Sequence, residues 1–103
     1  MKSIWIGLVN VVPLGDNSVL TSGAKGAFVN ALALVIDHYE YESAVQAALS
    51  DLHLYAIEFE DVEQFNYRLA TRAISDDLRV LAAQINDRQI VGFDIFHNYF
   101  TED

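Results

Sequence analysis

Apolar and polar positions along this chain change period several times, and each change marks an element. Residues 3–12 read as a β-strand with Ile4, Ile6 and Leu8 on one face and Trp5, Val9 and Val11 on the other. Both faces are apolar, which suits a central strand covered on both sides. Pro13-Leu14-Gly15-Asp16-Asn17-Ser18 is turn chemistry and ends it. Residues 27–36 form an unbroken apolar run whose alanines and leucines favour helix and whose length and flanking glycines favour strand. The next four residues decide for a strand: Asp37 and Glu40 have the spacing of a capping box, so a helix begins there and the run before it is a separate element.

That helix is expected over 38–52, where Tyr41, Ala44, Val45, Ala48, Leu49 and Leu52 make one apolar stripe. Residues 54–60 alternate, with Tyr55, Ile57 and Phe59 set against Ala56, Glu58 and Glu60, and predict a strand with one wet face. A second helix is expected over 67–85 on the stripe Ala70, Ile74, Leu78, Leu81 and Ile85. A last strand is expected over 89–96 or a little longer, with Val91, Phe93 and Ile95 on one face and residues 98–103 left as a tail. The order is β-β-α-β-α-β. Right-handed crossovers then place both helices on a four-stranded sheet, an α+β sandwich forming a single domain over 1–103.

Composition agrees with a packed domain. Just over half of the 103 residues are hydrophobic, and a chain of this length buries a core without metals or disulfides. It has no cysteine, which removes disulfides, thiolate metal sites and cysteine nucleophiles and leans towards a reducing, cytoplasmic setting. The apolar start, Ile4 to Val9, is interrupted by Asn10 and has no small-residue cleavage site close behind it. It is expected to be a core strand and not a signal peptide.

Charge changes the picture most. Fifteen acids against six bases give −9 at pH 7, which repels nucleic-acid backbones and anionic lipid, so neither is an expected partner. Such a charge aids solubility and draws basic proteins. It is also unevenly spread: residues 37–63 hold eight acids and no lysine or arginine, while Arg68, Arg72 and Arg79 are expected on one face of the second helix. The densest stretch runs Glu58-Phe59-Glu60-Asp61-Val62-Glu63. With Tyr39, Tyr41 and Tyr55 in the same unit, it combines charge with the aromatic anchors that interfaces favour.

Catalytic and metal chemistry find less support. His38, His53 and His97 have no second histidine at helical spacing, and Asp37-His38 with Glu40 and Glu42 reads as helix capping and exposed charge, not as a zinc site. His53 fits a helix terminus. There is no G-x-S-x-G elbow, and Gly23-Ala24-Lys25-Gly26 lacks the spacing and ending of a phosphate loop. Glu58 and Glu60 share a strand face and are the one carboxylate pair suited to acid–base work. No enzymatic activity, metal or cofactor is expected.

The segments Gly26-Ala-Phe-Val-Asn-Ala-Leu-Ala, Tyr55-Ala-Ile-Glu-Phe-Glu-Asp-Val-Glu and Gly92-Phe-Asp-Ile-Phe-His-Asn-Tyr, in this layout, resemble immunity proteins of bacterial toxin–immunity systems, including those of contact-dependent growth inhibition. The resemblance implies a small inhibitor that binds one cognate toxin domain, often a basic nuclease, and sets acidic side chains in sites meant for phosphate. On this reading the partner-binding residues are Glu40, Glu42, Tyr55, Glu58, Glu60, Asp61 and Glu63. Two alternatives stand beside it. One is a subunit or ligand-sensing domain that self-associates through a sheet edge or through Phe96 to Phe100. The other is a small enzyme using Glu58, Glu60 or a histidine.

Overall fold

A computed structural model describes residues 1–15 and 19–100. The order is β1 (Ser3–Pro13), β2 (Gly26–Val35), α1 (His38–Asp51), β3 (Leu54–Gln64), α2 (Phe65–Thr71), α3 (Asp76–Gln84), β4 (Val91–Phe93) and β5 (His97–Tyr99). The sheet runs β3-β1-β2-β4, with β5 also paired to β2, and every pairing is antiparallel. The chain is therefore α+β, as expected, with residues 26–35 a strand. Pro13 closes β1 where the turn chemistry begins; Asp16, Asn17 and Ser18 of that turn, and residues 101–103 of the expected tail, lie outside the described residues.

β1 is central and, as its sequence requires, both its faces are used. On one face Val9 and Val11 pack with Ala27, Val29, Ala31, Ala33 and Val35 of β2, beneath Tyr41, Val45 and Leu49 of α1. Each fully buried valine or leucine here contributes about 1.5–3 kcal/mol. Gly7 lies on this face because Tyr41 needs the space: a Cβ there would meet the Tyr41 hydroxyl and Val62. That hydroxyl donates to the Ala31 carbonyl at 2.8 Å. On the opposite face Ile6 and Leu32 are buried under Phe65, Leu78 and Ile85, with Ile4, Leu34, Ile74, Leu81 and Ala82 around them. α1 thus covers one face, and α2 with α3 covers part of the other.

Several expectations are corrected. The helix expected over 67–85 is two helices. The first ends at Thr71, and Ser75 caps the second by accepting from the Leu78 amide at 3.2 Å, with Asp76 and Asp77 in its first turn. The break undoes the expected stripe and the arginine face: Ala70 is exposed, Arg68 is buried, and Arg72 and Arg79 are exposed.

The strand expected over 54–60 runs on to Gln64, and its alternation departs from the expected one. Val11 pairs with Ala56 but Asn10 pairs with Glu58, so Ile57 is an extra residue, a β-bulge. Past it the faces exchange: Leu54, Ala56, Phe59 and Val62 face α1, while Tyr55 and Ile57 are exposed.

The last strand, expected over 89–96, is two short ones. One residue is inserted between the β4 and β5 registers on β2, which leaves Ile95 exposed and makes His97–Tyr99 a strand where a tail was expected. The sheet accordingly has five strands and not four.

Candidate functional site

The seven residues singled out from sequence do not form one patch. Glu40 and Glu42 lie in the first turns of α1. Asp37 opens that helix by accepting from the Glu40 amide at 2.8 Å, and Glu42 lies 2.6 Å from His38 one turn back. This helix rests on one face of the sheet through Tyr41, Val45 and Leu49. Glu58 and Glu60 pair with Asn10 and Leu8, positions whose side chains fall on the other face, and Tyr55 pairs with Val12 on that same face. The sheet itself separates the two sets.

Asp61 and Glu63 are engaged within the fold. Leu8 pairs with Glu60 but Ile6 pairs with Glu63, so Gly7 faces both Asp61 and Val62 across a second bulge. Asp61 takes the left-handed conformation there, with φ 54°, which aspartate tolerates better than most residues. The buried Arg68 guanidinium secures this bulge. Its Nη2 donates to the Asp61 carbonyl at 2.9 Å, and its Nε donates to Glu63 Oε1 at 3.2 Å. Glu63 is therefore held by an internal ion pair, while Glu58 and Glu60 remain exposed.

The register shows what lies beside them. Only the end of this face near Ile4, Ile6, Leu32 and Leu34 is covered by α2 and α3. Towards the other end no described residue of the face is buried apart from Gly26. Tyr55 neighbours Val12; Glu58, Asn10, Phe28 and His97 stand in one row across four strands; Glu60, Leu8 and Asn30 stand in the next. Phe28 and Tyr55 are 37% and 48% exposed. Tyr99 lies over Gly26, where any Cβ would collide with its ring, and its hydroxyl donates to Asn10 Oδ1 at 2.8 Å. The Phe28 and Tyr99 rings are 5.5 Å apart.

Phe28 and Val12 are not among the residues singled out from sequence, Leu8 is expected there only as a core position, and Tyr99 only as part of the Phe96 to Phe100 segment. A signal was present: Asn10 and Asn30 interrupt the apolar face of strands otherwise read as covered on both sides.

Other chemistry finds little geometry here. Among the described residues no group of three or more His, Asp or Glu is arranged to hold a metal ion. His97 and Glu58 share a row, but three strand spacings, about 14 Å, separate them, too far to share a proton. His53 takes a left-handed conformation, φ 58°, just past α1, and its carbonyl accepts from the Leu14 amide, a helix-terminus role. A cavity of about 370 Å³ beside Pro13 and residues 20–24 has no acid, base or histidine among the described residues that line it. No described helix is long and apolar enough to cross a membrane. No family model, curated protein or solved structure matches this chain.

Proposed function

We propose that this chain is an acidic protein-binding inhibitor that neutralises a cognate basic toxin, a nuclease being the natural case, by forming a one-to-one complex. The observation that carries the reading is the pair Glu58 and Glu60, exposed two residues apart on the edge strand beside the exposed Tyr55, within a stretch of eight acids and no lysine or arginine. Two carboxylates on one strand face stand roughly 7 Å apart, close to the spacing of successive phosphates along a nucleic-acid strand. They offer a phosphate-binding surface a ready substitute for its ligand. The net charge of −9 speeds encounter with such a surface and opposes binding to nucleic acid itself. The layout resembles that of immunity proteins, and the absence of cysteine fits a cytoplasmic site of action.

Of the residues expected from sequence, Tyr55, Glu58 and Glu60 make the proposed contact, with Asp61 at its margin. Glu63 supports it through Arg68, and Glu40 and Glu42 lie on the far side of the sheet. Capture of the tagged chain from native lysate at low and high salt, read by mass spectrometry, tests the reading. The expected result is one stoichiometric basic partner that associates more slowly at high salt. Recovery of the chain alone, from cells shown to express the partner gene, contradicts it.

A further inference from the structure

The uncovered half of the sheet holds more than carboxylates. Phe28 lies beside Tyr99, and Val12 and Leu8 are only partly buried although they occupy the central strand. Exposed aromatic groups in the middle of a sheet, with charge to one side, have the anatomy of an interface: an apolar centre within a polar rim. Glu58 and Glu60 make the rim on the β3 side. The covering helices stop at Ile6 and Leu32, so no element of the described chain closes this end.

Charge decides what covers it. A second copy would bring another −9 to a face already edged with glutamates, and nucleic acid or anionic lipid would meet the same repulsion. A cationic protein meets none. We propose that this half-face is the docking surface of such a partner, which seats an aromatic side chain against Phe28 and Tyr55 and sets flanking arginines on Glu58 and Glu60. The inference rests on the inhibitor reading and deepens it: the aromatic centre determines residence, and the acidic rim determines the speed and salt dependence of encounter.

Isotope-labelled protein titrated with two amidated peptides, Arg-Arg-Trp-Arg-Arg and Arg-Arg-Gly-Arg-Arg, tests this by NMR. Both peptides are expected to shift the amides of residues 58–60. The tryptophan peptide should in addition shift residues 10–12, 28 and 55 and bind at least about fivefold more tightly. Phe28→Ala and, independently, Tyr55→Ala should abolish that preference while leaving the glycine peptide unaffected. Tyr55 is a half-exposed edge residue, so its variant is expected to fold even if the Phe28 variant does not. Equal affinity of the two peptides, with shifts confined to 58–60, overturns the aromatic docking surface and leaves the acidic reading standing. Shifts confined to α1, or no binding by either peptide, overturn both.

Discussion

Arg68 is the side chain on which the shape of the acidic strand turns. It is buried, it donates to a backbone carbonyl at the Asp61 bulge, and its charge is matched by Glu63. Replacing it by leucine leaves the Glu63 carboxylate in a largely buried place without its partner, and removing one member of a buried pair costs about 3 kcal/mol. Arg68→Leu should lower unfolding stability by about that amount in urea, and adding Glu63→Leu should recover most of the loss. A double variant no more stable than the single would show that Arg68 acts through the bulge alone.

Tyr41 makes a second test at this scale. Burial pushes its hydroxyl well above the usual tyrosine range, with Arg68 pulling it down and Glu42 adding to the rise. The unfolded chain ionises this group near pH 10, while the folded chain keeps the proton. Its contribution is present in full below about pH 10 and is lost as pH rises towards the folded value. Above pH 10 the wild type should lose stability faster than Tyr41→Phe, by at most about 1.4 kcal/mol per pH unit. At neutral pH the variant should be about 1 kcal/mol less stable, for its bond to the Ala31 carbonyl. Parallel stability curves above pH 10 would place the proton elsewhere.

Elements differ in how openly the chain announces them. β1 and α1 are plain in the sequence from their apolar patterns and the Asp37–Glu40 spacing, whereas the continuous apolar run of β2 fits helix or strand and is decided only by the helix cap that follows it. The break between α2 and α3 was also legible, in the N-cap signature Ser75-Asp76-Asp77, but the apolar stripe continues in phase across it and hides it. The two bulges of β3 were not legible. They follow from pairing with β1: the extra residue Ile57 transfers the side chains after it to the opposite face, until the second bulge beside Gly7 restores the phase. The acidic pair Glu58 and Glu60 survives that transfer because both lie beyond the bulge. Its expected neighbours Glu40 and Glu42 do not join it, because which face a helix covers is a property of the whole sheet.

β5 was missed for a similar reason: three residues carry little pattern, and their register depends on Gly26 leaving room for Tyr99. Gly26→Ala should therefore displace the Tyr99 ring, break its bond to Asn10 and cost about 1–3 kcal/mol. Tyrosine ring shifts in NMR spectra, together with a thermal melt, check this; an unmoved Tyr99 ring would contradict the docking of β5.

The molecule as a whole is polarised. Its acids crowd into 37–63, and one end of one sheet face stays open beside two of them. Long-range charge acts on encounter, whereas apolar contact acts on dissociation. In the proposed complex Glu58 and Glu60 steer a basic partner onto this face. The most direct test is the association rate of the captured partner with wild type and with the double variant Glu58→Lys, Glu60→Lys, measured across a range of salt. Both side chains are exposed, so the fold should be retained. Association of the double variant should be slower by at least about tenfold at low salt, with a much flatter salt dependence. Unchanged rates with an unchanged salt slope would contradict this steering and remove this face as the site.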